Sequence, residues 1–489
     1  MPRASEATPA IPLKEVKRVK SEIEAVVRQI DRFQSMSPSE RRGHFKKHPL
    51  DALCTITHPN GGALHCGQLG LEKLASIASV ALRVQPTLAA RASLGRARDS
   101  ATKAFADQVL RHPTDITIDT ANRLLARCIE DLKNSVVAME HYFPCVLFVD
   151  GTADEVKVGP VTFVRTRKFF RAKRRLFKTS AEAAATSQIG NATTQGAGRI
   201  APDKASMARV RRLHAGAIGR YLEFPWVAVV LVSDCDLQTA ERRGHRAAEM
   251  ALHVLRVLLS PATMTRTGIA WTGPHPAETA HIYADHLGVL HPQVTRHFGL
   301  AQPGWQDELR CLDAYTQIFG AALHALVDPA EASPLRQRLL DAVKWFGDAA
   351  TDTTPSCAVV KYVSAIECSL FGAFHRHDHS KVFASRVQAV LEAFDYDFGR
   401  TYERSLKLYE QRSRLLHGAA SPRAESVGAI LQDAATLARL VLMCAAQVYP
   451  ILHGLLGVRE ADHFEAMMQK IQVDGLVFLD DEWRGQTHF

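Results

Sequence analysis

From Leu335 to the end, the chain reads as six successive segments with helical patterning. That patterning commits the last third of the chain to helices packed on one another. The spacing predicts helices over Leu335–Phe346, Cys357–Phe371, Lys381–Phe394, Thr401–His417, Ser426–Leu456 and Ala461–Gln472. Gly418 suits a left-handed C-cap for the fourth, and Pro422 bars its continuation. Leu440–Leu456 is apolar enough to raise a membrane span, but Gln447, Pro450 and His453 interrupt it, so the reading is a buried helix and no membrane.

Two further parts precede this bundle. Residues 1–140 read as helical: Ile23, Val26, Val27, Ile30 and Phe33 fall on one face of Leu13–Gln34, and helical patterns recur at Leu71–Val84 and Ile118–Leu132. Cys54, His58, His65 and Cys66 lie between the first two. They have a zinc-like residue set, but irregular gaps and the adjacent His65-Cys66 favour ordinary loop residues, so no metal is expected. Residues 141–334 read as mixed α/β. Phe143–Val149 and Val156–Val164 look like strands joined at Asp150-Gly151, and Trp226–Val232 is a strand leading into a helix over Leu237–Leu259. Histidines 281, 286, 291 and 297 are read as surface residues, since Gly288 and Pro292 break any regular face. The fold class is therefore α+β, mainly α.

Charge is uneven. Residues 161–220 hold 14 Lys and Arg against only Glu182 and Asp203, whereas 335–489 hold 17 bases against 19 acids. The excess belongs to an insertion, 165–212, whose Ala/Thr/Ser/Gly-rich centre reads as flexible. Its basic stretch is Arg165, Arg167, Lys168, Arg171, Lys173, Arg174, Arg175 and Lys178, interleaved with Phe169, Phe170 and Phe177. Two readings stand side by side. Bases neutralise phosphates while rings stack on unpaired nucleobases; or the stretch is a solvated loop anchored by its phenylalanines. Nine cysteines, odd in number and thinly spread without a hydrophobic leader, point to a reducing cytoplasm. The chain has no phosphate-binding Walker loop, no Gly-rich dinucleotide turn and no Gly-x-Ser-x-Gly elbow, which argues against nucleotide hydrolases, dehydrogenases and α/β-hydrolases.

The most informative segment is Arg412-Ser413-Arg414-Leu415-Leu416-His417, followed by Gly418. It resembles the Arg-x4-6-His signature of the HEPN superfamily. Trp345 and the Ile366-Glu367 helix upstream are similar to the ApeA-like branch. The likeness covers about 335–455, is looser over 141–330 and does not reach the first 140 residues. It implies a metal-independent RNA endonuclease without cofactor, a toxin or anti-phage (abortive-infection) effector answering a phage or cellular trigger. It also implies paired domains, hence a homodimer or higher even oligomer for a chain with one motif. By the same resemblance His417 moves the proton of the ribose 2′-hydroxyl and Arg412 holds the scissile phosphate. Histidines in general titrate near pH ~6.5, which suits that task.

Helix geometry adds a constraint. Positions five apart lie about 140° apart around the axis, so Arg412 and His417 do not share a face, whereas Ser413 and His417 do. Ser413 is thus read as orienting the imidazole. Glu367 lies in an apolar helix where a lone carboxylate is costly, and Arg412 is its expected partner. Other readings remain open. Arg412 and His417 also fit helix-capping roles in an inert bundle, and a HEPN-type domain can serve as a non-catalytic dimerisation or binding module while the middle region senses a ligand or partner. The run His375, His377, Asp378, His379 is read as a solvated loop between helices.

Overall fold

The computed structural model describes residues 11–111, 115–148, 153–175, 204–259, 267–270, 278–284, 290–296, 304–372, 378–396, 399–454, 458 and 461–475. The architecture is mainly α with small antiparallel sheet, α+β as the sequence predicts. The chain divides into two compact units, one holding the residues up to Met139 with Val232–Arg242, the other the rest from Glu140 onward.

In the first unit, α1 (Leu13–Ser35) is followed by α2 (Pro38–Lys47), α3 (Pro49–Leu53), a short hairpin β1 (Thr55–Thr57) and β2 (Ala63–His65), α4 (Gly67–Val84), α5 (Pro86–Ala89), α6 (Leu94–Phe105) and α7 (Ile118–Ser135). Helices α1, α4, α6 and α7 pack in a closed ring, each against the next. The core they share includes Ile23, Val26, Leu74, Ile77, Phe105, Leu124 and Leu125, each worth about 1.5–3 kcal/mol when fully removed from water. Helix α6 was not among the sequence expectations. Its inward stripe is Ala97, Ser100, Ala101 and Ala104, small residues that carry little hydrophobic signal yet let helices approach closely. Cys66 is buried, and His58 takes the Asn60 N–H on its own Nδ1. Among the described residues no three His, Cys, Asp or Glu side chains gather as metal ligands.

The strands β3 (Val137–Val146), β4 (Glu155–Val158), β5 (Val161–Arg165), β6 (Trp226–Cys235) and β7 (Gly268–Ile269), which lie mostly in the second unit, form a sheet in the order β4-β5-β6-β3-β7. This corrects the expected hairpin. The chain turns at Gly159-Pro160, where Val158 pairs with Val161, and β3 sits on the far side of β6. Val156 and Val158 point inward while Glu155 and Lys157 face solvent, so the alternation is that of a strand ending at the turn. The residues of the expected turn, 150 and 151, lie outside the described residues.

The insertion is also more ordered at its ends than its composition implies. Strand β5 runs directly into a helix, α8 (166–175), and α9 (Lys204–Leu222) covers what was read as loop. Phe169 is buried edge-on to Tyr142 and locks α8 down. The centre of the insertion, 176–203 with Lys178, lies outside the described residues. After β6 comes α10 (Leu237–Leu258), buried along Ala247, Ala251, Val254 and Leu258. The strands β8 (Glu278–Ala284) and β9 (Leu290–Arg296) then pair antiparallel, with Pro292 opposite Ile282. His281 and His291 therefore lie on a regular hairpin rather than an irregular path; 286 and 297 fall outside the described residues.

Helices α11 (Trp305–Cys311) and α12 (Asp313–Val327) lead into the bundle: α13 (Pro334–Ala350), α14 (Pro355–Leu370), α15 (His379–Glu392), α16 (Thr401–Leu416), α17 (Glu425–Gly454) and α18 (Ala461–Asp474). Helix α14 is central, packing on α13, α15, α16 and α17. Within α17, Val427–Leu452 is long and apolar enough to cross a membrane, but the 18-residue window that makes it so is 67% buried inside the fold.

Candidate functional site

Helix α16 carries the Arg-x4-His motif and stops where its sequence says it should. Leu416 is its last helical residue, His417 is already out of helical geometry at φ −91°, ψ 6°, and Gly418 turns left-handed at φ +72°. The Ala419 N–H donates to Arg414 O (2.8 Å) and the Gly418 N–H to Leu415 O (3.4 Å). These are the two bonds of a Schellman cap, which needs a positive φ at Gly418. The exposed imidazole of His417 is thereby presented at the rim of the bundle.

Arg412 faces the opposite way. Its guanidinium donates to Glu367 Oε2 on α14 at 3.0 Å, and the two side chains are each only 22% exposed. The structure thus brings together the pair that the sequence placed together. It does not bring Arg412 to His417 within one chain, in keeping with their angular separation on the helix. Ser413 meets His417 through the backbone, its carbonyl accepting the His417 N–H at 3.0 Å. No side-chain hydrogen bond joins the two among the described residues.

Two residues that the sequence reading did not assign complete the cluster. Glu367 Oε1 lies 3.3 Å from His379 Nε2, and Arg412 also reaches Tyr409 Oη at 3.5 Å while stacking over its ring. His379 is not in a solvated loop: it opens α15, largely buried and stacked on Phe371 at 4.8 Å. Asp378 before it adopts φ +51°. Histidines 375 and 377 lie outside the described residues. Tyr409 packs on His379 and Phe383, and burial followed by the neighbouring Glu367 charge raises its phenol above the ordinary value. The signal for Tyr409 was helical spacing: it is three residues before Arg412 and so shares its face.

This cluster has spare capacity. Arg412 Nε is buried without a hydrogen-bond partner among the described residues. That atom is sealed from solvent; a phosphate oxygen would meet the partly exposed terminal nitrogens, each of which has an N–H beyond those used on Glu367 and Tyr409.

The basic stretch of the middle region is largely tied up. Arg165 stacks over Trp226 (4.3 Å) and donates to Phe148 O. Lys168 pairs with Glu155 (3.1 Å), and Lys173 with Glu140 (2.5 Å) beneath the Tyr142 ring. Arg167, Arg171, Arg174 and Arg175 are exposed. Of the seven described bases, three are thus engaged by protein groups and four are exposed; none of the seven is part of the Arg412 cluster.

Comparison with known proteins gives no neighbour: no family model, no curated protein and no solved structure matches the chain.

Proposed function

We propose that the protein is a metal-independent RNA endonuclease of the HEPN type, acting in the cytoplasm as a toxin or anti-phage effector. The observation that carries this reading is the Arg412 cluster: a guanidinium anchored by Glu367 yet still partly exposed, five residues before a histidine exposed at a helix end. In this chemistry His417 takes the proton of a ribose 2′-hydroxyl. The 2′-oxygen forms its bond to phosphorus, the bond to the 5′-oxygen breaks, and a proton goes to that leaving oxygen. Arg412 offsets the charge gathering on the non-bridging oxygens. The products are a 2′,3′-cyclic phosphate and a 5′-hydroxyl. Because Arg412 and His417 face apart on one helix, a second copy supplies the facing half of the cleft, and a homodimer is the working form. The middle region takes the trigger.

A second reading is favoured by one specific contact. Glu367 and Tyr409 already engage Arg412, as they would in a structural strut of a non-catalytic binding module. RNA cleavage by wild type and His417→Ala in EDTA, with the fragment ends sequenced, separates the two. The expected result is cyclic-phosphate ends from wild type and a loss of about 10²–10⁴-fold in the variant, which stays folded and dimeric. Equal cutting by both proteins removes His417 from the chemistry and leaves the binding module.

A further inference from the structure

The middle region holds an open groove of about 720 Å³, a volume typical of small-molecule sites. One wall is the start of α8, with Arg165, Arg167, Lys168 and Arg171; the other is formed by Asp154 and the turn from Leu222 to Pro225. The walls are bolted together by backbone. Arg165 N–H donates to Asp154 O (2.9 Å), Thr166 N–H to Pro225 O (3.0 Å), and Thr166 Oγ1 to Phe224 O (2.6 Å). The groove is therefore preorganised, which lowers the entropic cost of filling it.

Its charges are unevenly used. Arg165 and Lys168 are already engaged as described above. Arg167 and Arg171, one helical turn apart on the same face, have no partner among the described residues, so two like charges stand side by side without compensation. Two guanidinium forks at that spacing suit two adjoining phosphoryl groups. Across from them, Asp154 and Glu223 are acceptors for hydroxyl or amino donors, and Leu222 (56% exposed) with Phe224 and Pro225 offers an apolar ledge for a planar ring.

We propose that this groove binds a nucleoside diphosphate group, with its phosphates on Arg167 and Arg171, its ribose and base edge toward Glu223 and Asp154, and its base on the Phe224 ledge. A passing RNA strand is disfavoured. Its phosphodiesters would meet the two carboxylates in the same groove, and the neighbouring lysines are neutralised by Glu155 and Glu140. The site is separate from the Arg412 cluster and does not depend on the ribonuclease reading.

The test uses the full-length protein and fluorescently labelled ADP, GDP, CDP and UDP. At least one binds saturably, is displaced by pyrophosphate and is not displaced by its own nucleoside. Arg167→Gln with Arg171→Gln weakens it by about tenfold or more, with the circular dichroism spectrum unchanged. Glu223→Gln weakens the nucleotide but leaves pyrophosphate as it was, and Arg412→Ala changes nothing. Three results would each overturn the proposal: none of the four nucleotides binding, the double variant binding like wild type, or a short RNA strand without terminal phosphates displacing the probe as well as the free diphosphate does.

Discussion

Two arginine–glutamate pairs lie in the same helical bundle and differ in almost every respect that matters physically. Arg386 on α15 is fully buried; it pairs with Glu465 on α18, donates to Leu370 O (2.8 Å) and stacks on Phe371, while Glu465 also accepts the Gly372 N–H (2.8 Å). Both ions have most of their hydrogen-bonding capacity met by protein, so the pair locks α15, α18 and the end of α14 into one arrangement. Arg412 and Glu367 keep about a fifth of their surface, and Glu367 also meets His379. A charge pair built only to hold helices is closed on itself; one that keeps part of its surface in solvent can still meet a ligand.

The largest expected effect follows from closing off the first pair. Arg386→Ala leaves Glu465 buried without its cation and costs about 3–5 kcal/mol in urea denaturation. Arg412→Ala, at a partly solvated pair, costs less, about 1.5–3 kcal/mol. Equal losses in the two variants would break the comparison, because Arg412 would then be a strut as well.

A third buried polar group sharpens the contrast, since the carboxylate nearest it lies beyond hydrogen-bond reach. His253 on α10 accepts from Arg256 through Nδ1 (2.5 Å), while its Nε2 is 3.7 Å from Asp348 on α13, beside Lys344. Burial, then Arg256 and Lys344, hold the imidazole well below its ordinary pKa. The space it fills exists because residue 347 is glycine; a Cβ there would fall 1.9 Å from His253 Nδ1. The unfolded chain takes up a proton below pH ~6.5 and the native state does not. The contribution is therefore complete above ~6.5 and is lost as pH falls, by about 1.4 kcal/mol per unit until the native group itself titrates. Comparing stability at several acidic pH values, His253→Leu should lack that slope. An unchanged slope would mean that the native imidazole protonates in place.

How far these features could be read in advance depends on how local their causes are. Helix α16 was expected over Thr401–His417 and runs to Leu416, because its cap residues and breaker sit within a few positions of its end. Glu367 was matched to Arg412 because a carboxylate in an apolar stripe demands a cation and the motif arginine was at hand. By contrast, Arg386 and Glu465 are 79 residues apart on helices whose charged residues look like any solvated face, and nothing local marks them as buried. His379 was misread for a related reason. It sits at the junction of a polar run and a helix, and only the packing of Phe371 against it decides which it joins. The β4–β5 turn was misplaced because Asp150-Gly151 and Gly159-Pro160 are both good turn sequences, and only the pairing of β3 beside β6 separates them.

The smallest change in stability, and the most informative change in activity, is expected from Glu367→Gln. The amide keeps the shape of the carboxylate and can still accept one hydrogen bond from Arg412, so the loss in urea denaturation is about 1 kcal/mol. What disappears is the charge that fixes the guanidinium against the pull of an incoming phosphate and that also holds His379 at 3.3 Å. A displacement of the order of 1 Å in a group that must meet the transition state costs about 10²-fold in rate, so RNA cleavage should fall by about tenfold to a hundredfold while the fold stands. The opposite pattern, several kcal/mol lost with cleavage per folded molecule unchanged, would place Glu367 and Arg412 beside Arg386 and Glu465 as structural struts, and the phosphate-holding role would have to pass to another residue.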